Sequence, residues 1–332
     1  MWLERHWQRV TPVSALLYPL SVVFRCVVAL RRAAYARSLL RPQRIDAAVI
    51  VVGNVTVGGT GKTPLVLWLT EFLIQHGLTP GIVSRGYGAS LREATAVTPA
   101  SDPAHVGDEP VLLAQRSGCP VWVARDRAAA TRALLHAHPG CGVIVSDDGL
   151  QHYGLARDIE IAVIDGTRAL GNGLMLPAGP LREPASRLRE VDAVVVNGGS
   201  RAVGSGKHAV ALKLEGRVFR NLLNPHHAVD AEHFQRRRVH ALAGIGNPQR
   251  FFDHLHVLGL EFSAHPFPDH HAFVRGDLEF ADCDAVVMTE KHAVKCGRFA
   301  NETQWVLRVD AVPDARLGEL VLRKLEEMTS PR

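Results

Sequence analysis

Cysteine is scarce in this 332-residue chain: five residues, Cys26, Cys119, Cys141, Cys283 and Cys296, with no C-x-x-C pair. A scattered, odd set excludes a disulfide framework, offers no zinc motif and suits a reducing compartment. Aromatic residues reach only 6%, which leaves little material for stacking nucleobases. No RNA-binding or helix-turn-helix signature is present, so nucleic acid is not an expected partner. There is no internal repeat, no low-complexity segment and no Asn-Lys-x-Asp motif of the kind that selects guanine. The remainder is ordinary for a globular protein: 47% hydrophobic, 21% charged, and long enough for two domains. A net charge of +5 points to an anionic partner such as a nucleotide or an acidic membrane surface.

What the sequence does contain is one strong phosphate-binding signature. The apolar residues 47–52 read as a buried strand, and residues 65–74 as a helix ending near Gly77. Between them lies Gly53-Asn54-Val55-Thr56-Val57-Gly58-Gly59-Thr60-Gly61-Lys62-Thr63-Pro64. Strand, glycine-rich turn, Gly-Lys-Thr and helix make up a P-loop. Thr56, Gly58, Gly59, Thr60 and Gly61 supply a nest of backbone N–H groups for phosphate oxygens. The helix N-terminus adds unpaired donors. Lys62 reaches the terminal phosphates and the Thr63 hydroxyl faces Mg²⁺. Pro64 fits a first helical turn that needs no N–H. One position departs from the usual pattern: Thr56 stands where the first glycine is expected.

Short apolar runs follow at residues 81–86, 120–125, 142–146, 159–164 and 193–196, with a helical pattern at 126–136. Such alternation predicts an α/β fold with a parallel sheet covered on both faces. Residues 198–238 shift in composition and read as a β-rich connector. A second α/β unit begins at residue 239, with a helix near 250–258, a strand at 285–289 and a terminal helix over 316–328. The expected division is a segment 1–44, a P-loop domain 45–200, a linker 201–238 and a smaller closing domain 239–332. Residues 13–30 are largely apolar but interrupted by Pro19 and Arg25, with arginines on both sides. They read either as a helix lying in an anionic membrane interface or as one packed on the protein's own core.

Four polar clusters fall at strand ends or in loops. Asp147 and Asp148 end an apolar strand, where a carboxylate can hold Mg²⁺ opposite the P-loop threonine; an Asp-Gly turn is the plain alternative. Asp108, in Gly107-Asp108-Glu109-Pro110, can orient or deprotonate a hydroxyl, or simply cap a helix. Arg182 and Glu183, in a proline-rich loop, can serve phosphate and metal or form a surface turn. His270 and His271 are adjacent and do not have zinc-ligand spacing.

Taken together, these segments resemble the tetraacyldisaccharide 4′-kinase family of lipid A biosynthesis. The matching pieces are the P-loop string, Ser84-Arg85-Gly86-Tyr87-Gly88, Val106-Gly107-Asp108-Glu109-Pro110, Asp147-Asp148-Gly149-Leu150-Gln151-His152, residues 176–183, Phe267-Pro268-Asp269-His270-His271 and Thr289-Glu290-Lys291. They occur in the family's order and span nearly the whole chain, and Thr56 at the first P-loop position is itself a family feature. The resemblance implies transfer of the ATP γ-phosphate to the 4′-hydroxyl of a lipid disaccharide 1-phosphate, giving lipid IV-A, with Mg²⁺ as cofactor. It implies two α/β domains joined by a small β linker and a membrane-associated N-terminal helix. It also implies a peripheral or monotopic protein on the cytoplasmic face of the inner membrane, with no obligate protein partner. Carried over to this sequence, Lys62 is catalytic and Asp108 is the base, assisted by His270. Thr63, Asp147 or Asp148, and Glu183 stand on the metal side, and Arg85, Arg127 and Arg182 face the anionic substrate. One position departs: the family usually has Asp where this chain has His292, so a titratable base replaces an acid.

Overall fold

In a computed structural model, which describes residues 2–86, 91–199, 209–244, 246–268 and 271–329, an apolar strand stands at the centre of the larger of two sheets. This strand, β1 (Ala48–Gly53), has Val49 and Val51 in one hydrophobic cluster and Ile50 and Val52 in another. Alternate residues point to opposite faces, so both faces are buried, as the continuous apolar run predicts.

Seven more strands of this nine-stranded sheet follow in sequence: β2 (Pro80–Ser84), β3 (Thr95–Val97), β4 (Val121–Val123), β5 (Val143–Asp147), β6 (Ile159–Asp165), β7 (Ala193–Asn197) and β8 (Ala209–Glu215). The smaller sheet comprises β9 (Phe219–Asn221), β10 (Ala228–Val229), β11 (Val239–Ala243), β12 (Ser263–Pro266), β13 (Ala285–Thr289) and β14 (Gln304–Leu307). The ninth strand of the large sheet is β15 (Asp310–Pro313). The large sheet runs β15-β8-β7-β6-β1-β5-β2-β4-β3 and is parallel except at its two edges. The small sheet runs β10-β9-β14-β13-β11-β12, with β9 and β10 antiparallel. The helices are α1 (Pro12–Ala36), α2 (Lys62–Gln75), α3 (Pro103–Val106), α4 (Asp108–Ser117), α5 (Arg127–Ala137), α6 (Pro248–Val257), α7 (Glu290–Cys296) and α8 (Arg316–Thr329).

The expected domain limits need correcting. Strand β8, assigned to the connector, pairs in parallel with β7 and belongs to the large sheet. Strand β15 pairs with β8, and α8 returns to the same lobe, where a Cβ on Gly318 would lie 2.6 Å from the Phe72 ring of α2. Leu317, Val321 and Leu325 of α8 join the cluster that holds Leu65 and Leu69 of α2. The polar, amphipathic α8 therefore closes the first lobe rather than the second. The second lobe consists of the small sheet with α6 and α7.

Helix α1 runs unbroken through Pro19 for 25 residues, capped by Thr11. Its apolar side chains are turned outward. Leu16, Leu20, Val23, Val27 and Leu30 are all exposed, whereas Ser14 and Ser21 are buried. The Ser21 hydroxyl donates to the Met175 carbonyl at 2.8 Å and accepts from the Ala178 N–H at 2.9 Å. The helix is thus seated on the protein by serines and presents an aliphatic stripe to its surroundings. Its length and composition are sufficient to cross a membrane.

Candidate active site

The P-loop bends where glycine permits it. Gly58 and Gly61 have φ of +104° and +92°, a region that side chains strain, and α2 begins at Lys62. Three successive carbonyls of the loop are held by side-chain donors. Asn54 Nδ2 donates to Gly58 O at 3.2 Å, Arg168 Nη2 to Gly59 O at 2.5 Å, and Asn197 Nδ2 to Thr60 O at 2.9 Å. In a trans peptide the N–H points opposite to the C=O. The amides of Gly59, Thr60 and Gly61 are therefore turned away from those donors, which is the arrangement of an anion nest. Arg168 and Asn197 stand at or just after the carboxyl ends of β6 and β7, where open parallel sheets bind ligands. The sequence reading missed both; their signal was polar residues closing an apolar strand.

The loop after β6 returns to pair with the P-loop. Thr56 bridges Leu181, and Arg182 N–H donates to Val55 O at 2.7 Å. Arg182 consequently projects into the site. Its guanidinium reaches Asp148 Oδ2 at 3.1 Å and Oδ1 at 3.2 Å, Gln151 Oε1 at 3.0 Å, Thr56 O at 3.3 Å and the side chain of Asn54. Lys62 Nζ lies 3.6 Å from Asp148 Oδ1. Burial would raise the Asp148 carboxyl, but Lys62 and Arg182 outweigh it and hold it well below the usual carboxylate range.

Asp147 differs from its neighbour. It is 1% exposed, accepts from Ser84 Oγ at 3.2 Å, and its Oδ1 has no hydrogen-bond partner among the described residues. Burial, with Glu109 and Asp148 nearby, pushes its carboxyl up to about 7. A buried carboxylate oxygen without a partner fits a cation. With the half-buried Thr63 at the start of α2 and the paired Asp148, the donors suit Mg²⁺, which takes few protein ligands and keeps phosphate and water. No cluster of three or more His, Cys, Asp or Glu side chains forms a cage among the described residues.

Asp108 is the first residue of α4, with Gly107 in the cap position. It is 6% exposed, and Lys295 of α7 in the second lobe places Nζ 3.1 Å from its Oδ2. Lys295 also lies 3.4 Å from the carbonyl of His271, whose ring pairs with Asp277 at 2.9 Å. His270, Asp269, Tyr87 and Gly88 fall outside the described residues. Arg85 is exposed just after β2.

Two expected site residues are placed elsewhere. Arg127 is 4% exposed and donates from Nη2 to the carbonyls of Asp147 at 2.9 Å and Asp148 at 2.6 Å. It holds the turn at Asp148, whose φ is +47°, rather than facing a substrate. Glu183 is 1% exposed, bonded by the Tyr153 hydroxyl and 3.3 Å from Arg187 Nε. Arg182 bonds Asp148 beside the P-loop, whereas its neighbour Glu183 lies in this separate network with Tyr153 and Arg187. His292 is fully buried in α7, where Nε2 accepts from the Gly244 N–H at 2.9 Å and Nδ1 faces Thr289 Oγ1 at 3.0 Å.

The family profile described as LpxK, tetraacyldisaccharide-1-P 4′-kinase, matches residues 13–326. The tetraacyldisaccharide 4′-kinase of Methylobacillus flagellatus is 50% identical over 327 residues, covering 98% of this chain and 96% of that protein. That of Azoarcus sp. is 50% identical over 328 residues, with the same coverages. The crystal structure of LpxK from Aquifex aeolicus in complex with ATP superposes with a TM-score of 0.80 at 26% identity, covering 94% of this chain and 99% of that one. The chain belongs to the tetraacyldisaccharide-1-P 4′-kinase family.

Proposed function

We propose that this protein is an ATP-dependent kinase that phosphorylates the 4′-hydroxyl of a tetraacylated disaccharide 1-phosphate on the route to lipid A, giving lipid IV-A. Its membership of the family supports the activity. The observation that carries the reading is the P-loop nest, with Lys62 and Arg182 converging on Asp148 beside it.

Phosphoryl transfer passes through a loose transition state, so catalysis is mostly positioning and charge. The Gly59, Thr60 and Gly61 amides receive phosphate oxygens, and Lys62 follows the charge on the terminal phosphates. When the triphosphate arrives, the Lys62 ammonium is shared between it and Asp148. Thr63, with Asp147 and Asp148, would hold Mg²⁺, which would supply neutralisation of phosphate charge. Asp108 accepts the proton of the sugar hydroxyl. Arg85 meets the anionic acceptor. The exposed stripe of α1, flanked by Arg31, Arg32, Arg37, Arg41 and Arg44, lies in an anionic bilayer surface on the cytoplasmic side, where the acyl chains of the acceptor are held.

The test is to incubate the protein with Mg-ATP and the disaccharide 1-phosphate and follow both lipid and phosphate. Phosphorylated lipid that appears with ADP supports the reading. Free phosphate released without lipid product would make the protein a nucleotide switch. ATP bound but not consumed would make it a sensor.

A further inference from the structure

One guanidinium ties the two lobes together directly over the P-loop. Arg168 follows β6, and its Nε donates to Asp165 Oδ2 at 3.0 Å. Asp165 is 2% exposed and accepts from the N–H groups of Thr167 and Arg168 at 2.9 and 3.3 Å through Oδ1, so the anchor is itself fixed. From that anchor Arg168 sends Nη2 to Gly59 O in the P-loop and Nη1 to Gly246 O at 3.1 Å in the second lobe. The two backbones are close here: a Cβ on Gly246 would lie 2.5 Å from Gly59 N.

A second contact acts in the same place. Arg250 of α6 donates from Nη2 to Asn197 Oδ1 at 2.5 Å, and the Nδ2 of that asparagine holds Thr60 O. Two adjacent P-loop carbonyls, Gly59 and Thr60, are therefore gripped by side chains that also bond the second lobe. The third, Gly58, is held by Asn54 within the first lobe.

We propose that Arg168 is a positioning residue for nucleotide binding: it fixes the inward amide of Thr60 and seats the Gly246 turn on the P-loop at once, so that ATP affinity depends on the position of the second lobe. The proposal rests on reading the P-loop as the ATP site. A planar guanidinium can join an acid and two carbonyls simultaneously, whereas a lysine ammonium offers a point charge without that fork. Asn54 and Asn197 still hold two of the three carbonyls when Arg168 is removed, so affinity should fall without vanishing.

The experiment measures binding of the non-hydrolysable β,γ-methylene analogue of ATP by calorimetry, together with the KM for ATP, the KM for the lipid acceptor and kcat. The variants are Arg168→Ala, Arg168→Lys and Lys62→Ala in the full-length chain. Arg168→Ala should weaken the analogue by about tenfold, a typical coupling between sites. It should raise the KM for ATP in parallel and leave the KM for lipid near wild type, and Arg168→Lys should not restore the loss. Wild-type affinity in Arg168→Ala, or a fall in kcat and melting temperature with both KM values unchanged, would overturn the proposal in favour of a purely structural contact. Lys62→Ala should abolish analogue binding. Normal binding in that variant would instead overturn the P-loop reading on which the proposal rests. If Arg168→Ala fails to fold, Asp165→Asn, which loosens the anchor, is expected to give the same KM pattern, and its absence would count equally against the proposal.

Discussion

The Lys295 ammonium stands 3.1 Å from Asp108 Oδ2 across the seam between the two lobes. Lys291 lies 4.0 Å from the same oxygen and 3.1 Å from Glu109. Further along α4, Arg116 pairs with Glu290 and Asp310. A buried carboxylate without a partner is costly, and the two lysines offset that cost. The residue expected to act on the sugar hydroxyl is therefore supported from the opposite lobe, and any movement of α7 alters its surroundings.

This gives the first prediction. Asp108→Asn keeps the size of the side chain and removes its basicity. It is expected to lower kcat by a factor on the order of 10²–10⁴, the usual contribution of a positioned base. The KM for ATP should stay near wild type, because the variant keeps the shape of the side chain and leaves the P-loop amides and Lys62 in place. A variant with near-normal kcat would remove Asp108 from the chemistry.

The second prediction concerns Gly246. A methyl group there would meet the Gly59 nitrogen at 2.5 Å and Gly58 carbon at 3.4 Å, both backbone atoms that cannot swing aside. Gly246→Ala must therefore push the second lobe off the P-loop. We expect a raised KM for ATP with folding intact, measured by steady-state kinetics and a thermal melt. Unchanged kinetics would mean that this close approach is not needed during turnover.

Much of this was legible from sequence where one local rule dominates. The continuous apolar runs marked β1, β5, β6 and β7, and the helix read at 65–74 is α2, which starts three residues earlier, at Lys62. The strands β3, β9, β10 and β12 were not legible, because each has only two to four residues and, unlike β4, none stands in a continuous apolar run. The return of β15 and α8 to the first lobe was also hidden, since strand pairing across a hundred residues leaves no local mark. Arg127 and Glu183 show the limit for site residues. Both side chains suit a phosphate or a metal, but the direction in which each points is set by tertiary packing around Asp148 and Tyr153.

The third prediction is one of pH. His152 is half-buried, accepts from the Arg127 N–H at 3.3 Å through Nε2 and sits 3.6 Å from Asp126. Burial, together with the Arg127 charge, pushes its imidazole down to about 4, against an ordinary value of 6.5. The unfolded chain therefore takes up this proton between those values while the folded chain resists it. Stability from this group is fully present above about pH 6.5 and is lost as the pH falls toward 4, by at most roughly 3 kcal/mol. Asp147, raised to about 7, contributes the opposite slope, so the informative comparison is between variants rather than along one curve. Urea unfolding of His152→Gln from pH 5 to 7 should show a weaker loss of stability on acidification than the wild type. Parallel curves for the two proteins would show that this ring does not govern the acid limb.

The fourth prediction follows from the inverted burial of α1. Leu16, Leu20, Val23, Val27 and Leu30 recur at spacings of four and three residues, so they line one side of the helix, while Ser14 and Ser21 occupy another. Leu16 is 80% exposed and Leu30 is 72% exposed, which is an expensive surface to leave in water. Burying each such side chain is worth about 1.5–3 kcal/mol. The triple variant Leu16→Asp, Val23→Asp, Leu30→Asp should therefore lose vesicle binding by more than about tenfold in co-sedimentation with anionic liposomes. It should keep its fold, because the serine contacts to Met175 and Ala178 that seat the helix are untouched. Equal sedimentation of the variant and the wild type would mean that the stripe does not meet the bilayer, and the arginines alone would then have to account for any attraction to it.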